Sequence, residues 1–318
     1  MAKHWLPWVV KFALSGALIW YVLKDVDLGE AWARASGISP ELLILAAIMF
    51  FGNVVIGTLR WQMVLRAIGA SLPLSKTFTF FYSGVFFSIA LPGAVGGDAV
   101  RMWMARKAGL ELGQAVNSVM LERVAQVLGL VLLVACVQPI LLARIGDIPG
   151  SWVFPALSVA GLGGTGVLML LDRLPEQLRQ WRVIRGLAQL ASDTRKLFLR
   201  PRRSIPTLML AVLAHANLSL ATWVMALGLD IQVSAIDCIA LVPPVILIMT
   251  LPISIAGWGV RETAMVVAFG FVGVESHAAL VLSILFGLVN MAVSLPGGLV
   301  WLASRGDAPD AQPLSTRG

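Results

Sequence analysis

Apolar residues run along this chain in blocks of about twenty, separated by short polar segments that hold most of the charge. A bilayer core about 30 Å thick needs about 20 residues of apolar helix. Six segments meet that requirement: 5–23, 42–59, 124–142, 152–171, 205–227 and 278–302. Two further apolar runs, 78–91 and 238–251, are shorter. Trp5, Trp8, Trp20, Trp61, Trp152 and Trp301 fall at ends of predicted helices, where amphipathic rings settle at the headgroup level. The pattern predicts an all-α polytopic membrane protein, with 1–304 as a single transmembrane domain and 305–318 as a disordered polar tail.

Segment 172–204 breaks the pattern. Leu174, Leu178, Trp181, Ile184, Leu187, Leu190 and Leu197 form a stripe at helical spacing, against Arg179, Arg182, Arg185, Arg195 and Lys196. Such a cytoplasmic basic amphipathic helix either lies on anionic lipid or packs its stripe on the bundle.

Composition agrees with the pattern. The 318 residues are 58% hydrophobic and 13% charged, about half the usual charged fraction, and the mean hydropathy is +0.86. A net charge of +7 gathers in loops and marks a cytoplasmic membrane face, so nucleic acid is not expected as a partner. Cys136 and Cys238 both lie in apolar runs, and no disulfide framework is expected. The start of the chain reads as a first membrane helix, with no small-residue cleavage site after its apolar stretch.

One stretch occurs twice. Leu91-Pro92-Gly93-Ala94-Val95-Gly96-Gly97-Asp98-Ala99-Val100-Arg101 recurs in the second half of the chain as Leu251-Pro252-Ile253-Ser254-Ile255-Ala256-Gly257-Trp258-Gly259-Val260-Arg261. Both copies read L-P-x4-G-x2-V-R, and each follows one of the two short apolar runs. Pro92 and Pro252 break a helix and serve as candidate hinges, while glycine lets the chain turn back. Helix breakers with an ionisable group, repeated in two halves, point to a transporter binding site.

Loop charge sets the topology. Arg60, Arg66 and Lys76 stand without an acidic neighbour, and 172–204 holds nine Lys and Arg from Arg173 to Arg203. Asp25, Asp27, Glu30 and Glu41 dominate the first loop, and Asp230 and Asp237 follow the fifth span. The N-terminus and segment 172–204 are therefore placed in the cytoplasm, in a bacterial-type inner membrane. A full crossing by 78–91 would put the basic segment outside, so that run is predicted to re-enter, turn at Pro92–Gly97 and return to Arg106 and Lys107. Three crossings later the second copy enters from the opposite face. The expected architecture is about six spans plus two opposed re-entrant hairpins forming an inverted repeat.

Arg101 and Arg261 are the leading site residues, because a guanidinium offers a fork of donors suited to phosphate. Backbone N–H groups near Gly93, Gly96 and Gly97 would add an anion nest, with Gly257 in the second copy. The alternative pairs Arg101 with Asp98 and Arg261 with Glu262. Glu122 and Arg123 open a span side by side and do not face each other, so one of them is expected to reach the motif hairpin at Asp98 or Arg101. Otherwise both snorkel to the interface. Arg60 reads as an interfacial anchor. Asn53, His215, Asn217 and Asn290 read as interhelical hydrogen-bonding groups.

Enzyme motifs are missing: the three histidines make no H-E-x-x-H set, and neither a G-x-S-x-G elbow nor a Walker loop occurs. No cofactor or metal is expected.

The ordered set L-P-G-A-V-G-G-D-A-V-R, then Ser118-Val119-Met120-Leu121-Glu122-Arg123-Val124, then Leu251 through Glu262, resembles the lysylphosphatidylglycerol synthase transmembrane-region family. The resemblance covers about residues 5–304. It implies a flippase-like domain that moves a polar-headgroup lipid between leaflets, without the soluble aminoacyl-transferase domain of the fused members. The resulting expectation is a translocase with a midplane pocket for an anionic phospholipid or polyprenyl-linked lipid. It would be lined by Arg101, Arg261, Asp98, Glu262, Glu122, Arg123, Gly96, Gly97 and Gly257. A homo-oligomer, or an enzyme supplying the lipid, is the expected protein partner. The alternatives are an integral-membrane enzyme or accessory subunit of glycolipid assembly, with Asp98 or Glu262 as acid or base, and a carrier for a small soluble anion.

Overall fold

A computed structural model describes residues 29, 37–90, 96–145, 153–170, 182–249 and 259–304 of the protein. Ten helices occupy these residues, and no strand occurs among them. They are α1 (Pro40–Ala67), α2 (Leu74–Ala90), α3 (Gly96–Lys107), α4 (Leu112–Ile145), α5 (Val153–Leu170), α6 (Arg182–Phe198), α7 (Pro201–Gly228), α8 (Ala235–Met249), α9 (Val260–Gly270) and α10 (Ser276–Ser304).

Four of these are long and apolar enough to cross a membrane: α1, α4 over Leu112–Ile140, α7 and α10. They contain the predicted spans 42–59, 124–142, 205–227 and 278–302. The predicted span 152–171 coincides with α5, whose apolar run Val159–Leu170 is shorter. The predicted span 5–23, the tail 305–318 and the motif residues Pro92, Pro252 and Gly257 lie outside the described residues. The two short apolar runs form α2 and α8, as their length requires.

Eight of the described helices form two sets of four with the same order and similar lengths. Aligning Pro40 at the start of α1 with Pro201 at the start of α7 also aligns Leu74, which opens α2, with Ala235, which opens α8. Aligning Gly96 of α3 with Val260 of α9 likewise brings Leu112 of α4 onto Ser276 of α10. The helix endings match in detail. Helix α1 closes with Gly69 at φ 78° and α7 with Asp230 at φ 55°, and Ala70 N and Ile231 N each donate back at 2.9 Å to Leu65 O and Ala226 O. Gly109 (φ 104°) and Gly273 (φ 80°) end α3 and α9 in the same manner. These are left-handed C-terminal caps, which satisfy the last carbonyls of a helix.

The equivalent helices α1 and α7 run antiparallel. Arg203 at the start of α7 donates to Ala67 O at the end of α1 (2.8 Å). Asn217 in mid-helix donates to Met49 O (2.7 Å) and Asn53 Oδ1 (3.2 Å). Gly228, at the end of α7, lies against Ile38 and Leu42. These two helices of matching length and order therefore pack head to tail. The exchange continues outward, with α2 on α10 and α8 on α4. Tyr82 Oη donates to Val293 O (2.7 Å), and Leu247 joins Leu130, Val131 and Val134. Two apolar cores form, each mainly from one half with residues of the other half joining it, as Phe50 of α1 joins the second. Trp61, Leu65, Phe81, Met104 and Val119 belong to the first, and Phe50, Met225, Phe269, Leu282 and Phe286 to the second.

Helices α2 and α3 form an antiparallel hairpin whose backbones nearly touch. A Cβ on Gly97 would collide with Gly84 O and Ser88 Oγ, and one on Gly84 would stand 2.6 Å from Arg101 Cδ. Glycine is required at this crossing because nothing larger fits between the two backbones. Replacing Gly97 by Ala is therefore expected to cost about 1–3 kcal/mol, the usual penalty for overpacking, read as a lower unfolding midpoint in detergent. An unchanged midpoint would mean that the helices separate freely.

Helix α6, the described part of segment 172–204, packs its C-terminal end on the bundle. Ala191 and Leu197 are fully buried, and Leu197 clusters with Val64, Ala67 and Leu121. Asp193 accepts from Asn117 of α4 at 2.9 Å. The C-terminal part of the stripe packs on the bundle, while Leu187 stays exposed.

Candidate functional site

Five charged side chains converge between α1, α3 and α4. Glu122 Oε1 accepts from Arg60, with Nε at 3.0 Å and Nη2 closer still. Its other oxygen, Oε2, accepts from both Nη1 and Nη2 of Arg101 at 3.1 Å. Asp98 accepts from Arg123 Nε at 2.8 Å and Nη2 at 3.0 Å, and stands 3.9 Å from Arg101 Nη1. Arg123 Nη1 also donates to Gln126 Oε1 at 3.2 Å. The Arg101 guanidinium lies between two rings, 4.6 Å from the Trp61 centroid and 4.8 Å from that of Phe81. Arg60, Arg101 and Glu122 are 1–4% exposed, whereas the Arg123 side chain is 40% exposed.

Helix geometry explains why these residues meet. Asp98 and Arg101 share one face of α3, three positions apart, and Glu122 and Arg123 project side by side from α4 in different directions. Each of the latter therefore takes a different partner on α3. Three arginines face two carboxylates, so the cluster carries one excess positive charge. Glu122 lies ten positions beyond Leu112, about 15 Å along the helix at about 1.5 Å per residue. A charge at that depth in an apolar helix is costly unless it is paired or faces a polar cavity.

The cavity is present. It measures about 310 Å³ and is lined by all five charged residues together with Asn53, Gln126, His215 and Asn290. Several lining residues are equivalent across the two halves. Aligning α1 with α7 pairs Asn53 with Ala214, Val54 with His215 and Gly57 with Leu218, and aligning α4 with α10 pairs Gln126 with Asn290. The cavity thus sits at mid-length of α1 and α7.

The second motif copy is built differently. Arg261 donates to Glu262 Oε1 from Nε (3.1 Å) and Nη2 (2.5 Å), and its Nε also reaches Ser283 Oγ at 3.2 Å. Glu262 Oε2 accepts from Gly259 N at 2.6 Å, closing a cap on α9. In the same alignments the second half has Ala221 where the first has Arg60, and Phe286 and Gly287 in place of Glu122 and Arg123. Arg261 Cζ lies 5.8 Å from the Phe286 ring centroid, and a Cβ on Gly287 would meet that Cζ at 2.8 Å. Arg261 and Glu262 are not in the cavity lining.

Among the site residues expected from the sequence, the structure brings Asp98, Arg101, Glu122 and Arg123 together and sets Arg261 and Glu262 apart. Both Glu122 and Arg123 reach the hairpin, where one was expected to. Gly97 packs on α2 rather than lining the cavity, and Gly96 is also absent from the lining. Arg60, read from the sequence as an interfacial anchor, is buried against Glu122, and α1 continues past it to Ala67. The signal available for it was an arginine set inside an uninterrupted helix rather than at its end. Asn217 makes the expected interhelical bonds, and His215 Nε2 meets Gln126 O at 3.1 Å. Asn53, His215 and Asn290 also line the cavity, which spacing along the sequence did not indicate.

Comparison with known proteins is consistent with a membrane role. Over 99 residues, 31% of this chain, the sequence is 22% identical to a UPF0104 membrane protein of Methanothermobacter thermautotrophicus, and the match spans 28% of that protein's length. The model of a family described as the lysylphosphatidylglycerol synthase TM region matches residues 8–298, taking in both motif copies, the five charged residues and the rest of the cavity lining. This multi-pass membrane protein belongs to that family.

Proposed function

We propose that this protein translocates an anionic, polar-headgroup lipid between leaflets, with the headgroup passing through the cavity at mid-length of α1 and α7. The observation that carries the reading is a buried excess of positive charge where the short helix α3 meets the long apolar helices α1 and α4, facing an open cavity. Arg101 and Arg60 bind the lipid phosphate, and Arg123 at the more exposed edge exchanges Asp98 for it. Arg261 and Glu262 brace the second hairpin against α10. Equivalent helices packed antiparallel support inverted halves, with α2–α3 and α8–α9 as the two re-entrant hairpins. Inverted halves around a midplane site are the usual basis of alternating access.

Charge at the helix ends supports an orientation. Arg66, Lys76, Arg106, Lys107, Arg200, Arg202 and Arg203 gather at the end where α1 stops and α7 starts, while Glu41, Asp230 and Asp237 lie at the other. The basic end is cytoplasmic on this reading, in an inner membrane with the N-terminus inside.

The test is reconstitution into liposomes with a fluorescent phosphatidylglycerol and a membrane-impermeant quencher. Protein-containing vesicles are expected to lose signal beyond the outer-leaflet share, while protein-free vesicles stop at it. Identical traces would reject translocation.

A further inference from the structure

Helix α6 stands outside the two matched sets of helices, yet it docks across a seam of the first. Its fully buried Leu197 clusters with Val64 and Ala67 of α1 and with Leu121 of α4. Asp193, one turn earlier on the same face, accepts from Asn117 Nδ2 of α4 at 2.9 Å. Both members of that pair are buried. A single helix therefore ties the end of α1 to the start of α4.

This seam is the floor of the charge cluster. Val64 lies four positions past Arg60 on α1, and Leu121 adjoins Glu122 on α4. The dock is thus about 6 Å along α1 from the Arg60–Glu122 pair. Between the cluster and the basic end of the bundle, Trp61, Val64, Leu65 and Leu121 are fully buried. That apolar layer closes the cavity from the basic end where α1 meets α4.

The dock is built to come apart. Gln189 and Lys196 bond Asp193 from within α6 itself, at 3.2 Å and 2.8 Å. The carboxylate keeps both partners when the helix lifts, and water replaces Asn117. A buried polar pair of this kind fixes the register of a contact more than its strength. Further along, Arg185, Gly186 and Leu187 are exposed, so the start of α6 holds the bundle less. Only Leu199 and Arg200 separate α6 from α7, whose Arg203 donates to Ala67 O at the end of α1. Movement of α6 therefore acts directly on the contact between α1 and α7.

We infer that α6 is a detachable clamp that keeps the cavity shut at the basic end, and that its release from Asn117 and Leu121 lets α1 and α4 part and opens the Arg60–Glu122–Arg101 cluster to that side. This adds a gate to the alternating-access reading above and rests on it for the movement. The clamp is independent of the cargo.

The test is labelling by a membrane-impermeant thiol reagent in sealed vesicles of both orientations. The parent protein carries Cys136→Ser, Cys238→Ala and Asn290→Cys, which leaves one thiol, in the cavity wall. A second protein with Lys107→Cys in place of Asn290→Cys identifies the vesicles that present the basic end. In those vesicles the parent is expected to label slowly beside the Lys107→Cys protein. Asn117→Asp sets a second carboxylate against Asp193 and should label about tenfold faster than the parent. The exchanged pair Asn117→Asp/Asp193→Asn restores donor and acceptor in reverse and should return to the parent rate. Leu197→Ala removes the apolar seat without touching α4 and should also label faster, which decides the matter where Asn117→Asp fails to fold. Fast labelling of the parent, or parent-like labelling of folded Asn117→Asp and Leu197→Ala proteins, would overturn the clamp. Fast labelling that persists in the exchanged pair would trace the opening to a damaged α4 and overturn it as well. No lipid flipping in the liposome assay, alongside the expected labelling, would reject the lipid cargo and leave the clamp standing.

Discussion

Glu122→Ala is expected to destabilise the protein by about 3–5 kcal/mol, the largest loss for a single substitution in the structure. Glu122 accepts from Arg60 on one oxygen and from Arg101 on the other, at 1% exposure. Its removal leaves two buried guanidiniums facing each other with Asp98 alone nearby, and Asp98 is already held by Arg123. The measurement is the unfolding midpoint in detergent, alongside the yield of folded protein. Stability should return in large part only when the whole buried triad is replaced, in Arg60→Leu/Arg101→Met/Glu122→Leu, because replacing a complete buried ion network by apolar side chains is often neutral. That variant should still lack transport. Undiminished stability in Glu122→Ala would mean that the cluster is solvated and that the cavity is not enclosed by protein.

Arg101→Lys is expected to lower lipid translocation at least tenfold while the protein remains folded. Lysine keeps the charge and a salt bridge to Glu122, so the core has little reason to open. It loses the planar fork that bonds Glu122 through two nitrogens and the stacking between Trp61 and Phe81. Its strongly hydrated ammonium is also a poor match for a phosphate in a site where water is scarce. The check is the liposome assay with an unfolding curve for the same preparation. Translocation at the wild-type rate would remove Arg101 from the headgroup path.

Much of this arrangement was legible in the sequence because spanning a membrane imposes length. Four helices fall where continuous apolar residues require them, and the two short runs became the helices leading into the repeated motif. The pairing of Glu122 and Arg123 with α3 followed from adjacent helical residues pointing apart. What could not be read was the fate of the two motif copies. They share an arginine, but its surroundings come from other helices: Arg60, Glu122 and Arg123 in one half, Ser283, Phe286 and Gly287 in the other. That difference appears only once the halves are matched helix by helix, because the register that aligns the motif copies aligns neither α1 with α7 nor α4 with α10. That Arg60 and His215 line one cavity was hidden for a similar reason. Each is a single polar residue in an apolar helix, and only the packing of α1 against α7 shows that both face the same cavity.

The asymmetry between the halves offers the most direct test of where the lipid phosphate sits. Arg101→Lys and Arg261→Lys can be purified side by side and compared with the wild type for co-purified anionic lipid by native mass spectrometry. Loss of that lipid from Arg101→Lys, with wild-type retention in Arg261→Lys, is the expected result. Equal loss from both would place the headgroup between the two motifs instead, and loss from Arg261→Lys alone would contradict a site built on Arg60, Arg101 and Arg123.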